Sequence, residues 1–216
     1  MGGLDQEHII TLFGARFCAA YPKVAQTEGG LVNDPVDRGG ITKYGVSLRF
    51  LIHEGQIDVD GDGIADFDLD MDGDIDAADI RALQPIDAMY LFQRCFWNRL
   101  DCESFPRPLG EAMFDQGVNG GNVAAKKLLQ RAINQILARF WNYHDRPAIL
   151  RVDGVVGDLT RAALDWCLKL PAAGMVKLMD AYREEAATRY RAIVARDPAQ
   201  RRFLDGWLRR ARELGR

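Results

Sequence analysis

At 216 residues, 48% of them hydrophobic, the chain is long enough to bury a core and fits one compact domain or two small ones in contact. Its net charge of −3 is uneven: residues 58–79 hold ten aspartates and no lysine or arginine, and without those ten negative charges the balance would be +7. Two serines, no GxSxG, no P-loop, four cysteines without a CxxC pair and three scattered histidines give serine hydrolysis, nucleotide binding and zinc chemistry no support, which leaves carboxylates.

The start, MGGLDQEHII, lacks the basic stretch and apolar run of a secretory signal, and no apolar run approaches the ~20 residues of a membrane span. Synthesis in the cytoplasm without membrane insertion is the expectation. Ile9, Ile10, Leu12, Phe13, Phe17 and Ala20 recur at three- and four-residue intervals and predict a helix over residues 5–20 that Pro22 interrupts. A short helix, PKVAQTE, is expected to follow and to stop at Gly29-Gly30. Turn formers and valines from Leu31 to Ile41 predict a small irregular hairpin, and KYGVSLRFLIHEG a helix ended by Gly55. Helices are further predicted at AADIRAL, IDAMYLFQRCFW, AAKKLLQRAINQILARFWN, DLTRAALDWCLKL and MVKLMDAYREEAATRYRAIVARD, with a last one beyond Pro198. Seven or more helices and one weak β region make a mainly α fold. The cysteines Cys18, Cys95, Cys102 and Cys167 are expected as buried thiols.

The stretch TEGGLVNDPVDRGGITKYGVS sets a carboxylate at each of two backbone breaks. A glutamate in the last turn of a helix sits near the negative end of the helix dipole, which raises its pKa and suits a general acid. Asp37, at the second break, can stay ionised, and Thr42 adds a hydroxyl close by in sequence. An acid and a base ~6.5–9.5 Å apart around a water would serve glycoside hydrolysis with inversion. On that reading Glu28 protonates the leaving oxygen while Asp37 and Thr42 hold and activate the water. Exposed caps and turns give the same local patterns without chemistry.

The run from Glu28 through Gly29-Gly30, Asp37, Gly39-Gly40, Thr42 and Gly45 resembles glycoside hydrolase family 108, a lysozyme-like group of N-acetylmuramidases. The resemblance implies a lysozyme-like helical fold with a small β-hairpin at the active site, and assigns the acid's role to Glu28. A similarity to phage-type lysozymes carries the analogous roles to Asp37 and Thr42. YLFQRCFWNRL and PLGEAMFDQGVNGG resemble later helices of the family, including its Val118-Asn119-x-Gly121 segment. Asn119 either lines the sugar cleft or caps the next helix; with Tyr44 it is the candidate for substrate binding. LLQRAIN and VDGVVGDLTRAAL resemble the family's peptidoglycan-binding region. The organisation implied is a catalytic region at 1–104, with an insert at about 56–80, and a helical peptidoglycan-binding-type region at 105–216.

DVDGDGIADFDLDMDGDIDAAD departs from that family pattern. Asp68, Asp70, Asp72, Gly73, Asp74, Asp76 and Asp79 occupy positions 1, 3, 5, 6, 7, 9 and 12 of an EF-hand-like loop, position 7 offering its carbonyl. Asp58, Asp60, Asp62, Gly63 and Asp66 start a second set ten residues earlier, with Leu69 at its position 12. Its offset suggests ligands shared with Asp68 or Asp70, as in dockerin-type loops. One or two structural Ca2+ ions are therefore expected; a disordered acidic loop is the alternative.

Six arginines in the last sixteen residues suit a polyanionic partner or a solvated amphipathic helix. No recognition motif points to nucleic acid. The expectation is a monomeric, calcium-stabilised muramidase acting on bacterial peptidoglycan after non-classical export or lysis. Its rivals are a lytic transglycosylase and a non-catalytic wall-binding or secretion-accessory protein.

Overall fold

A computed structural model describes residues 6–25, 40–171 and 173–216. They fall into two compact units, 1–99 and 100–216. The fold is mainly α, with one two-stranded antiparallel hairpin among the described residues. No helix among them is long and apolar enough to cross a membrane.

In the first unit, α1 (Gln6–Phe13) and α2 (Ala15–Val24) are separated at Gly14, and Pro22 lies inside α2 rather than interrupting a helix. The missing Pro22 N–H is tolerated because α2 buries Phe17, Ala20 and Val24 along one stripe. Gln93 donates its amide to the Phe13 carbonyl at 2.7 Å, satisfying the chain where the two helices part. Strands β1 (Thr42–Lys43) and β2 (Val46–Ser47) follow residues 26–39, which lie outside the described part along with the helix end and the turns predicted there. KYGVS is thus hairpin, not helix. The helix α3 (Leu48–Glu54) starts only after it, capped by the Ser47 hydroxyl, which accepts the Phe50 N–H at 3.3 Å.

After the acidic segment come α4 (Ala77–Ala82) and α5 (Pro85–Phe92), where Pro85 is the first helical residue, as its fixed φ and missing donor favour. The chain continues as a π-helical turn, Gln93–Asn98, which buries Cys95 and Trp97. This segment and α2 meet in an aromatic core. Phe17 stands edge-on to Trp97 at 5.7 Å, Tyr21 edge-on to Phe92 at 5.5 Å, and Phe50 stacks on Phe96 at 5.5 Å. Burial pushes the Tyr21 hydroxyl up to about 12.

In the second unit a short 3-10 turn, Cys102–Ser104, leads to α6 (Leu109–Gly120) and α7 (Asn122–Arg139). Gly121 alone joins the two helices with φ 86°, a left-handed value that a side chain would oppose. In α7 the residues Ala125, Leu128, Leu129, Ala132, Ile133, Ile136 and Leu137 are buried at helical spacing. They pack with α9 (Gly174–Arg196), whose Tyr182 is fully buried and donates to the Ala125 carbonyl at 3.4 Å. The helix α8 (Asp158–Lys169) closes on both. A 3-10 turn, Pro198–Phe203, precedes α10 (Leu204–Glu213), where Trp207 stacks on Tyr190 at 5.4 Å. One arginine of the basic tail, Arg210, is held by Asp115 at 3.0 Å, whereas Arg201 and Arg202 are exposed. Cys95, Cys102 and Cys167 are buried and Cys18 half-buried, all as free thiols. Desolvation pushes Cys95 and Cys167 up to about 12, so both are inert at neutral pH.

One ion pair ties α3 to the end of the π-helical turn. Arg99 Nη2 lies 2.7 Å from Glu54 Oε2, and the Glu54 side chain is 16% exposed. Burial alone would raise the Glu54 pKa, but hydrogen bonding and charge from Arg99, with bonds from Cys95 and His53, outweigh it and hold the carboxyl below its ordinary value. A depressed carboxyl contributes stability above its unfolded pKa and loses it as pH falls through the folded one. Glu54→Gln is therefore expected to lower stability by about 1 kcal/mol at neutral pH, with the gap to wild type closing as pH drops through the carboxylate range. Thermal melts of both proteins against pH check this; a gap independent of pH would contradict it.

Candidate functional site

Of the sequence-predicted catalytic and sugar-binding residues, Thr42 and Tyr44 are brought together by the hairpin. Thr42 pairs with Ser47 and Lys43 with Val46. The two turn residues both have left-handed backbones, Tyr44 at φ 52° and Gly45 at φ 80°, which matches the twist a two-residue hairpin needs. Glycine meets that demand freely at position 45, and its bare Cα also lets the turn approach the aromatic core: a Cβ there would sit 3.3 Å from Phe92 Cζ. Thr42 is half-buried, and its hydroxyl donates to the Gly40 carbonyl at 3.3 Å, leaving lone pairs to accept from a water.

Lys43, which the sequence did not single out, fixes this hairpin from the other side. Its ammonium lies 5.3 Å from the Tyr44 ring centroid and donates to the Arg81 carbonyl of α4 at 2.5 Å. The exit helix of the acidic segment is thereby joined to the strand that carries Thr42. No motif announces such a bond, because its acceptor is a backbone carbonyl 38 residues away.

Glu28 and Asp37 fall outside the described residues. Asn119 lies in the second unit, exposed on α6, and its amide donates to the Asp115 carbonyl at 2.8 Å. It is not the cap of α7: that position is Gly121, without a side-chain cap.

The acidic segment folds into two successive loops. In the first, Asp58 accepts the N–H groups of Gly61 (2.6 Å) and Gly63 (3.1 Å), and Asp62 accepts that of Ile64 (2.8 Å). In the second, Asp68 accepts those of Asp72 (3.1 Å) and Gly73 (2.9 Å), and Asp72 that of Asp74 (3.1 Å). Asp76 and Asp79 form a reciprocal capping box at the start of α4, and Asp79 also accepts the Leu69 N–H at 2.6 Å. Carboxylate oxygens gather into two separate groups, Asp58 with Asp60 and Asp66, and Asp68 with Asp70 and Asp79, the members of each within 4.8 Å of one another. Asp68 and Asp70 thus stand with Asp79, and the first group is completed by Asp66. Asp62, Asp72, Asp74 and Asp76 are in neither group. Asp79 is fully buried and Asp68 5% exposed. Local desolvation and then the charges of Asp72, Asp79 and Asp68 raise the Asp70 pKa; at Asp74 the charge of Asp72 leads the same effect. Oxygen-only donors in this pattern could hold a hard divalent cation.

Comparison with known proteins bears on the hairpin and on the helices of the second unit. Residues 21–121 match the family model of glycosyl hydrolase 108. Residues 124–212 match a second model, described as a predicted peptidoglycan domain. Together these matches support a glycoside hydrolase with peptidoglycan as its partner. The first match spans Glu28, Asp37, Thr42, Tyr44 and Asn119 alike. Among solved structures, SagA of Brucella abortus is similar with a TM-score of 0.59 and 20% identity, over 93% of this chain and 96% of that one, a likeness of fold. No curated protein matches the chain.

Gly45→Ala is expected to destabilise the protein by about 1–2 kcal/mol, since an L side chain resists the left-handed backbone and crowds Phe92. Urea unfolding checks this; unchanged stability would show that the turn does not hold the hairpin on the core.

Proposed function

We propose that the chain is a muramidase that hydrolyses the β-1,4 bond between N-acetylmuramic acid and N-acetylglucosamine. The observation that carries this reading is the match of residues 21–121 to glycosyl hydrolase 108, which contains the carboxylates and the hydroxyl that the chemistry needs in their expected order. Glu28 is the general acid that protonates the leaving oxygen. Asp37 is the base, and Thr42 positions the water, its hydroxyl proton already engaged by Gly40 so that the oxygen faces the water as an acceptor. Tyr44, beside Thr42 on the hairpin, contacts the sugars. The second unit retains the wall polymer, in keeping with the peptidoglycan-domain match.

Glu28→Gln is expected to lower clearing of purified sacculi by at least about a hundredfold while wall binding persists. Mass spectrometry of wild-type digests should show hydrolysed, reducing muramic ends. Equal clearing by both proteins would remove Glu28 from its role, and 1,6-anhydro products would make the enzyme a lytic transglycosylase instead.

The acidic segment, on the same reading, is a structural calcium site of one or two ions. Asp68, Asp70 and Asp79 form the stronger group, because two of its three carboxylates are buried and their like charges crowd within 4.8 Å. Asp58, Asp60 and Asp66 form the second. A cation that binds only the folded chain adds about 2.7 kcal/mol of stability at a hundredfold excess over its dissociation constant. Calcium is therefore expected to raise the melting temperature and a chelator to lower it, with hydrolysis well below the melt little changed. Asp79→Asn should abolish the calcium-dependent shift. A melting temperature indifferent to calcium in the wild type would contradict the site.

A further inference from the structure

A groove of about 470 Å³ lies between α7 and the first turn of α8, lined by Ile149, Leu150, Arg151, Asp153, Val155 and Leu159 among others. It is an open groove lined by residues between 130 and 162, inside the stretch that matches the peptidoglycan domain. Its wall is built on a polar lock. Gln130, 1% exposed, donates to Asp153 Oδ1 at 2.8 Å and to the Val155 carbonyl at 3.0 Å, and its own carbonyl accepts the Gly154 N–H at 2.8 Å. The Val155 N–H closes the turn onto Asp153 Oδ1 at 2.8 Å. A turn held from behind by a buried amide is already ordered before anything binds, so little conformational entropy is lost on association.

The groove's apolar side chains face water. Ile149 is 53% exposed, Val155 66% and Leu159 82%. Three exposed aliphatic residues around one concavity, with Arg151 and two carboxylates on its lining, Asp153 held in the lock and Asp158 outside it, describe a site for a ligand that is itself part methyl and part zwitterion.

We propose that this groove holds the peptide stem of peptidoglycan. The inference rests on the reading of the chain as a wall hydrolase and adds which part of the polymer the second unit grips. Stem peptides are short, rich in alanine methyl groups, and carry free carboxylates together with the amine of a diamino acid. The methyl groups pack on Ile149, Val155 and Leu159, the Arg151 guanidinium meets a carboxylate, and Asp158 meets the ammonium. A glycan strand fits this lining less well, since aliphatic walls offer few hydrogen-bond partners to its many hydroxyls.

Isothermal titration of the full-length protein with a synthetic tetrapeptide stem, and separately with peptide-free glycan strands, tests this. The stem peptide is expected to bind. Leu159→Glu and Arg151→Glu should each weaken it about tenfold or more, with wild-type melting temperatures and unchanged hydrolysis of the peptide-free strands. Stem binding by either well-folded variant at wild-type strength, or no stem binding by the wild type, would overturn the proposal. Hydrolysis of sacculi without stem binding removes the groove alone; stem binding without any hydrolysis removes the enzymatic reading and leaves the groove standing.

Discussion

The first unit is organised by the close approach of the hairpin turn to an aromatic core. Gly45 can reach Phe92 because it has no side chain, and Phe92 in turn meets Tyr21, Phe50 and Phe96. The same turn sets the register that pairs Thr42 with Ser47, and Ser47 then starts α3. A single backbone requirement therefore links the placement of a chemically useful hydroxyl to the packing of α2, α3 and α5. Rigid support of this kind is what a positioned water needs, since a displacement near 1 Å can cost about a hundredfold in rate.

The acidic segment is a second element acting on the hairpin. Its exit helix α4 receives the Lys43 ammonium, and its buried Asp79 both caps that helix and ties back to Leu69. Whatever orders the two aspartate groups also orders α4, and through Lys43 the strand beside it. An insert rich in like charge is thus mechanically connected to the hairpin although it supplies no atom to the proposed reaction.

The long helices of the second unit were legible because they bury a stripe at regular spacing: Leu128, Leu129, Ala132, Ile133 and Ile136 repeat as a helix requires. Helix limits in the first unit were not. Pro22 suggested a stop, yet burial of Phe17 and Val24 holds α2 together across it, and the chain breaks at Gly14 instead. KYGVS suggested a helix because its apolar residues suit one; the left-handed backbone of Tyr44, a non-glycine residue, leaves no mark in the sequence. A glycine followed by a β-branched residue and then a serine cap was the available signal. The π-helical turn after α5 was equally silent, its pattern being a helix's with one residue of altered phase. Spacing alone gathered more aspartates than the structure does, since Asp62, Asp72, Asp74 and Asp76 stand in neither group, and Lys43 and the Gln130 lock depend on partners far along the chain.

The proposed hydrolysis requires a protonated Glu28 and an ionised Asp37 on either side of a water held near Thr42. The most direct measurement is a crystal structure of the Glu28→Gln protein with a wall fragment bound, from which the separation of the two side-chain carboxyl positions is read. A separation of ~6.5–9.5 Å, with the glycosidic oxygen next to residue 28 and a water between Asp37 and Thr42, is the predicted result. Side chains at 28 and 37 pointing into different regions, or a fragment seated away from the hairpin, would contradict it.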